Sequence, residues 1–321
     1  MKRPSAAGIA AGFLVLTVAA GCESPRQSPP TNPMDAYGIT ASNAFFYYDD
    51  LEAANEFYTG VLGLKTIVDY GFAKILQIGP TSLLTLVDQA HGMHSSQEPK
   101  TVAIALITDQ LDEWFDYLSG QDLEMKFGYD PQEGRPHHGF VAVDPEGYLL
   151  EFERFNQHPE NERFMPILDA TATVPATPTA SNAPSGLGFK ATVIWLYYRD
   201  MERAERFYED AFGLELLVDQ GWAKVYRTSD SGYLGLVDEK RGMHNFTETK
   251  AVTVSFLTDD LEGWFSYAKG GAFELRSDTL SGEGDRVDAF VGYDPGGYFL
   301  EFDHFLEHAD NTELLALLQA R

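Results

Sequence analysis

Two carboxylates and two histidines carry the chemistry open to this chain. Glu151 lies in DPEGYLLEF (Asp144–Phe152), and Glu301 lies in DPGGYFLEF (Asp294–Phe302), 150 residues later. In each copy Asp-Pro-x-Gly specifies a tight turn, because Pro fixes φ and Gly accepts the conformation that a side chain forbids. Tyr-x-Leu-Glu-Phe then alternates faces as a strand, so the glutamate projects between apolar neighbours. A carboxylate placed there is a metal ligand, a proton-transfer group or a rim residue that reaches water. A second repeated motif, V-D-x-x-x-G-M-H, places Asp88 with His94 and Asp238 with His244 in the loop after a strand. Asp, His and Glu in one cup would suit a divalent ion or an acid/base pair. The same residues equally suit a turn cap at Asp88 and a His94 that orders the crossover loop. His137 and His138 look like ligands, but Val287 and Asp288 stand at the matching places, which points to a local loop feature. Lys74 and Lys224 recur, as do Glu98–Lys100 and Glu248–Lys250; these pairs read as solvated charges at strand ends.

These residues must be positioned by a repeating set of elements. Ala41–Tyr48 is extended and aromatic, a strand. Asp50 is a helix cap, and Leu51, Ala54, Phe57, Tyr58, Val61 and Leu62 form the apolar stripe of a helix that Gly63 ends. Strands over Lys65–Val68, Ala73–Ile78 and Ser82–Val87 complete a β-α-β-β-β unit. A second unit has a strand at Thr101–Thr108, a cap at Asp109, a helix over LDEWFDYL, and strands near Leu123–Phe127, Gly139–Val143 and Tyr148–Arg154. Asn156–Asp169 reads as a short helix or loop. From Ala191 the order repeats at one fixed spacing without a gap. On the first strands Asn43, Phe45 and Tyr47 share a face, as do Val193, Trp195 and Tyr197. Aromatic faces of this kind line a small-molecule pocket or pack as plain core.

Four such units, with D-L-x-x-A-x-x-F-Y-x-x-x-L-G-L after the first strand and D-P-x-G-Y-x-L-E-F near the end, resemble the vicinal oxygen chelate (VOC) superfamily. That group includes glyoxalase I, bleomycin- and fosfomycin-resistance proteins and extradiol dioxygenases. The resemblance implies an α+β fold of two tandem domains. Each would be a pair of βαβββ modules forming a cupped mixed sheet, with helices outside and a metal or ligand in the cup. It also implies metal ligands on first and last strands, and here the match is poor. Asn43, Val102, Val193 and Val252 stand where the first-strand histidine is expected. Only Glu151 and Glu301 remain as candidate metal ligands, and one carboxylate does not hold a divalent ion tightly. A divalent metal is therefore disfavoured and the cofactor unknown.

The remaining segments bound the protein's setting. Met1-Lys2-Arg3, an apolar run over Ala6–Ala20 and Ala19-Ala20-Gly21-Cys22 resemble a bacterial lipoprotein signal, with Ala19 where Leu is usual. The expectation is a signal peptide over residues 1–21, acylation of Cys22, a flexible tether over 22–39, VOC domains over 40–168 and 189–321, and a Pro/Thr/Ala/Ser linker over 169–188. Cys22 is the only cysteine, so no internal disulfide forms. The net charge of −26 disfavours nucleic acid, which needs clustered Lys and Arg. Attachment to a bilayer in the bacterial envelope would come through the lipid on Cys22. Three functions remain open. The preferred one is a binding module for an apolar or aromatic small molecule. The others are a lyase, isomerase or dioxygenase using Glu151 and Glu301 with His94 and His244, and a non-catalytic envelope scaffold.

Overall fold

A computed structural model describes residues 32–180 and 182–320. The expected signal peptide, Cys22 and the first part of the tether lie outside the described residues. The rest of the expected tether holds one short helix, α1 (Pro33–Tyr37), which Asn32 caps through the amide of Met34. Repeat 1 then runs β1 (Ala41–Tyr48), α2 (Leu51–Glu56, continued by a π-turn to Val61), β2 (Lys65–Asp69), β3 (Ala73–Gln77), β4 (Ser82–Asp88), β5 (Val102–Ile107), α3 (Leu111–Leu118), β6 (Met125–Phe127), β7 (His137–Val143), β8 (Leu149–Phe155) and α4 (Met165–Ala170). A two-residue ladder, β9 (Val174–Pro175) with β10 (Gly188–Phe189), brackets the linker. Repeat 2 runs β11 (Ala191–Tyr198), α5 (Met201–Arg206), β12 (Glu215–Asp219), β13 (Ala223–Arg227), β14 (Gly232–Asp238), β15 (Val252–Leu257), α6 (Leu261–Tyr267), β16 (Glu274–Leu275), β17 (Ser281–Glu283), β18 (Val287–Tyr293), β19 (Phe299–Phe305) and α7 (Thr312–Gln319). Among the described residues no helix is long and apolar enough to cross a membrane.

The β-α-β-β-β units form as the sequence pattern specifies. Asp50 and Asp200 accept hydrogen bonds from the amides of Ala53 and Arg203 and so cap α2 and α5. Asp109 does not cap α3: the capping position is Gln110, with no side-chain bond, and Asp109 instead pairs with Lys190 at 2.6 Å. Gly63 ends the first helix at φ +70°, and a β-carbon there would lie 2.2 Å from the Pro178 nitrogen. The linker crosses at that point, with Thr177 and Thr179 donating to the carbonyls of Gly63 and Gly60. It is thus a strap laid on the first unit.

The two mixed sheets are each built from two units, and those units come from different repeats. One sheet runs β16-β18-β19-β15-β1-β4-β3-β2, with β17 added on β18; the other runs β12-β13-β14-β11-β5-β8-β7-β6. Their central joints are antiparallel. β1 pairs with β15 with Asn43 opposite Ser255, and β11 pairs with β5 with Val193 opposite Ala105. The 40–168 and 189–321 ranges are therefore sequence repeats, and each cup draws on both.

The repeated Asp-Pro-x-Gly-Tyr turn ties the two sheets together. Buried Asp144 accepts from the Tyr48 and Tyr58 hydroxyls at 2.7 and 3.1 Å, and from the amides of Glu146 and Tyr148. The Tyr148 hydroxyl takes the Tyr47 amide and donates to the Ala251 carbonyl at 2.6 Å. Asp294, Tyr198, Tyr208 and Tyr298 repeat this arrangement, with Tyr298 donating to the Thr101 carbonyl. Even-numbered β1 residues such as Phe46 and Tyr48 pack under the helices, while Phe45 and Tyr47 face the concave side.

This exchange has a direct test. A fragment spanning residues 32–186 leaves β1 and β5 without their partners, exposing two long apolar edges. It should be unfolded or self-associated. Light scattering coupled to size exclusion, with circular dichroism, reads the state, and a well-folded monomer would contradict the cross-repeat pairing.

Candidate functional site

The larger cup lies on the concave face of the sheet joined at β1 and β15. It encloses about 490 Å³. Phe45, Tyr47, Tyr70 and Phe72 from repeat 1 form one wall, and Val287, Ala289 and Val291 of β18 form the other. Glu301 and Asp303, two residues apart on β19, point to the same face and reach the cup side by side. Arg276 and the β17–β18 hairpin make the mouth. Asp303 accepts from the Ser255 hydroxyl at 2.5 Å. Glu301 Oε2 is buried and has no hydrogen-bond partner. Burial raises the Glu301 carboxyl well above the usual range; Asp303 beside it adds to this, and Arg276 opposes it. Burial also raises Asp303, to about 6, against its bonds to Ser255 and Glu301. The two carboxyls therefore share a proton near neutral pH.

The smaller cup, on the sheet joined at β11 and β5, retains only about 100 Å³. Larger residues fill it at equivalent positions. Trp195 stands where the open cup is lined by Phe45, and in the core around the cups Tyr233 stands where Leu83 does and Phe164 where Leu314 does. Phe155, Phe164 and Tyr233 stack edge to face, with ring centroids 4.9 and 4.7 Å apart. Trp195 fits because its strand neighbour is Gly235: a β-carbon there would lie 1.9 Å from the indole. In the open cup the same neighbour of Phe45 is Thr85.

Each expected site residue now has a place. Phe45 and Tyr47 line the open cup, and Trp195 and Tyr197 the small one. Asn43 is fully buried beneath the cup and donates to Thr85 at 2.8 Å, and Val193 is core. Glu301 lines the open cup and Glu151 the small one. His94 packs between Tyr47 and Phe299, with centroids at 5.1 and 4.3 Å, and its Nδ1 meets Glu98. Its neighbour Phe299 comes from the other repeat, while His244 packs on Tyr197, which lines the Glu151 cup. Neither histidine lines either cup. Burial lowers both, His244 to about 4, so they are neutral at physiological pH. Asp88 caps its turn through the Ala90 amide, as Asp238 does through Lys240. Lys74 and Lys250 are not solvated charges: Lys74 is buried against Asp69 and Glu52, and Lys250 donates to the Gly296 carbonyl at 2.8 Å.

The sequence pattern undervalued one participant and missed three. His137 is no loop ornament; it opens β7, lines the small cup and pairs with fully buried Glu153. Glu153, its counterpart Asp303, and Arg276 carried no repeated motif beyond strand parity with Glu151 and Glu301. The residues present do not fit a divalent ion. At the joint of the open cup the donors are an amide, hydroxyls and a carboxyl already bonded to one another. Among the described residues no group of three His, Cys, Asp or Glu is arranged to hold a metal.

Burial, with Glu153 beside it, pushes the Glu151 carboxyl from the usual 4.5 to about 8. His137 and the nearby Trp195 indole pull the other way, the indole without a hydrogen bond of full geometry. An acid whose folded pKa is raised makes folding cost more as it ionises. The cost is absent below about 4.5, grows with pH and is complete above about 8. Glu151→Gln should therefore leave stability unchanged near pH 4.5 and raise it by roughly 2–4 kcal/mol at pH 9. Urea unfolding across this range reads the difference, and a pH-independent effect would contradict the assignment.

The sequence model of the Glyoxalase/Bleomycin resistance protein/Dioxygenase superfamily matches residues 41–152 and 189–302. No curated protein sequence matches the chain. Among solved structures, glyoxalase I from Zea mays superposes with a TM-score of 0.55 at 17% identity, over 87% of this chain and 94% of that one. A Bacillus subtilis protein whose dioxygenase designation is provisional gives 0.55 at 16% identity, over 86% and 87%. At these identities the likeness is one of fold. With both repeats matched by the family and both sheets built from paired βαβββ units, the chain belongs to the Glyoxalase/Bleomycin resistance protein/Dioxygenase superfamily.

Proposed function

We propose that the protein is a small-molecule binding module, and that its open cup receives a ligand with an apolar or aromatic body. In the setting expected from its N-terminus, a lipid on Cys22 holds it to the bacterial envelope. The observation that carries the binding reading is the contrast between the two cups. The same scaffold is filled by its own side chains on one side, yet holds about 490 Å³ of aromatic-walled space on the other. An apolar cavity of that size is not maintained by packing, since each unfilled volume forfeits dispersion contacts. Walls of aromatic and aliphatic side chains with a few polar groups are the usual make-up of a ligand site.

A second reading keeps the enzyme alternative in altered form. Glu301 and Asp303, sharing a proton in an apolar cup, are suited to move a proton next to a carbonyl. That pair would replace the Glu and His pairing within one repeat, because the histidines lie outside the cavities. Hydrogen–deuterium exchange of a bound carbonyl compound, lost in Glu301→Gln, would be its mark.

The binding reading predicts that the open cup can be shut by the device that shuts its twin. The pair Phe45→Trp and Thr85→Gly copies the Trp195–Gly235 arrangement. It should weaken binding of the neutral aromatic probe N-phenyl-1-naphthylamine at least tenfold by fluorescence titration, with circular dichroism unchanged. Unaltered binding would place the ligand elsewhere.

A further inference from the structure

The closed cup contains its own answer to what the open cup lacks. On β8 the two acids Glu151 and Glu153 face a resident cation, because His137 pairs with Glu153, and Trp195 occupies the aromatic space above them. Glu153 holds His137 in its charged form: burial alone would lower the imidazole, but the adjacent carboxylate raises it to about 9. The open cup keeps both acids, as Glu301 and Asp303. Val287 stands where His137 would, and the smaller Phe45 where Trp195 would. It is the same cup with a cation and an aromatic group taken out.

We propose that the open cup selects an organic cation, a protonated amine or quaternary ammonium on an aromatic body. Its charge lies against Glu301 and Asp303, and its rings lie against Phe45, Tyr47, Tyr70 and Phe72. This rests on the reading of that cup as a binding site. Three observations carry it further. Among the described residues neither Glu301 nor Asp303 has an ion-pair partner, and Glu301 Oε2 has no hydrogen-bond partner. Aromatic faces around a carboxylate favour a cation over a neutral group of the same shape. The net charge of −26 also draws cations and repels anions at long range.

The other charged groups around the acids do not supply the missing partner. Arg276 sits exposed at the mouth with its guanidinium over the Phe299 ring at 5.4 Å, favouring ionised Glu301 only through space. His91 at the rim pairs with Asp88 at 3.4 Å, and Glu283 on the hairpin adds negative charge. Lys250 is engaged by the Gly296 carbonyl, His94 by Glu98, and the Tyr47 hydroxyl by Thr253. Burial and the neighbouring Asp303 hold a proton on Glu301, and Arg276 at the mouth opposes them only in part. A bound cation adds a counter-charge at the carboxyl itself, so the proton leaves to solvent as the cation enters.

The test uses three probes with one ring system: 1-naphthylmethylamine, 1-naphthalenemethanol and 1-naphthoate, titrated calorimetrically into the full chain near pH 7. The amine should bind at least tenfold more tightly than the alcohol, and the carboxylate most weakly. Amine binding should release a proton, read as an apparent enthalpy that follows the ionisation enthalpy of the buffer. Glu301→Gln should weaken the amine at least tenfold and leave the alcohol within twofold. Val287→His, which restores a resident cation, should also weaken the amine selectively. If the alcohol or carboxylate binds as well as the amine, and the Phe45→Trp/Thr85→Gly pair still blocks it, the cup is a binding site but not one for cations. If the amine binds tightly with no proton released and with Glu301→Gln unchanged, the charge is not seated on these acids. If no probe binds, both readings fall.

Discussion

The antiparallel joint between β1 and β15, with its twin between β11 and β5, decides everything about the sites. Each joint is a six-residue ladder in the middle of a sheet, buried apart from Phe45 in the open cup, and it sets which side chains meet across the floor of a cup. Because the joint crosses between repeats, Glu301 meets Phe45 and Tyr47, and Glu151 meets Trp195 and Tyr197. A catalytic or binding set assembled within one repeat would be divided between opposite sheets. The Asp144 and Asp294 turns make the exchange firm. Each gathers two tyrosine hydroxyls and two amides around one buried carboxylate, and the following tyrosine bridges to the other sheet. A buried carboxylate is tolerable only when so fully bonded.

Exact internal repetition would give two equal cups, and the molecule has two unequal ones. The difference is spread over a few equivalent positions, each larger on the closed side: Trp195 against Phe45, Tyr233 against Leu83, Phe164 against Leu314 and His137 against Val287. Packing is cooperative, because Trp195 enters only where Gly235 gives it room and the phenylalanine–tyrosine stack then closes behind it. One cup has thereby become core, while the other has kept its cavity and two acids without a counter-ion.

That division also separates the electrostatics of two chemically similar acid pairs. Glu153 has His137 as a partner inside the protein, which stabilises charge at the cost of fixing the imidazole. Asp303 has a serine hydroxyl and the Glu301 carboxyl beside it but no cation, and Glu301 Oε2 has no hydrogen-bond partner. Buried charge without a partner is the most expensive arrangement a core can contain. The open cup meets this by keeping a proton, a state that a ligand can change.

Much of the architecture was legible in the chain. Turn chemistry at Asp144 and Asp294, the capped helices at Asp50 and Asp200, and strand alternation placed nearly every element, and the 150-residue repeat with its motifs identified the superfamily. Those features are local: they depend on φ, on capping and on which face a residue takes. Strand parity also set Phe45 with Tyr47, and Trp195 with Tyr197, on one face. Asp109 misled because Lys190, distant in sequence, offered it an ion pair, and His137 was undervalued because its partner Glu153 lies on a neighbouring strand. What the tertiary structure alone decided was which units join, which cup stays open and which charges find partners. These depend on contacts between residues far apart in the chain, where a strand edge finds the same apolar pattern in either repeat and only packing of the whole chooses between them.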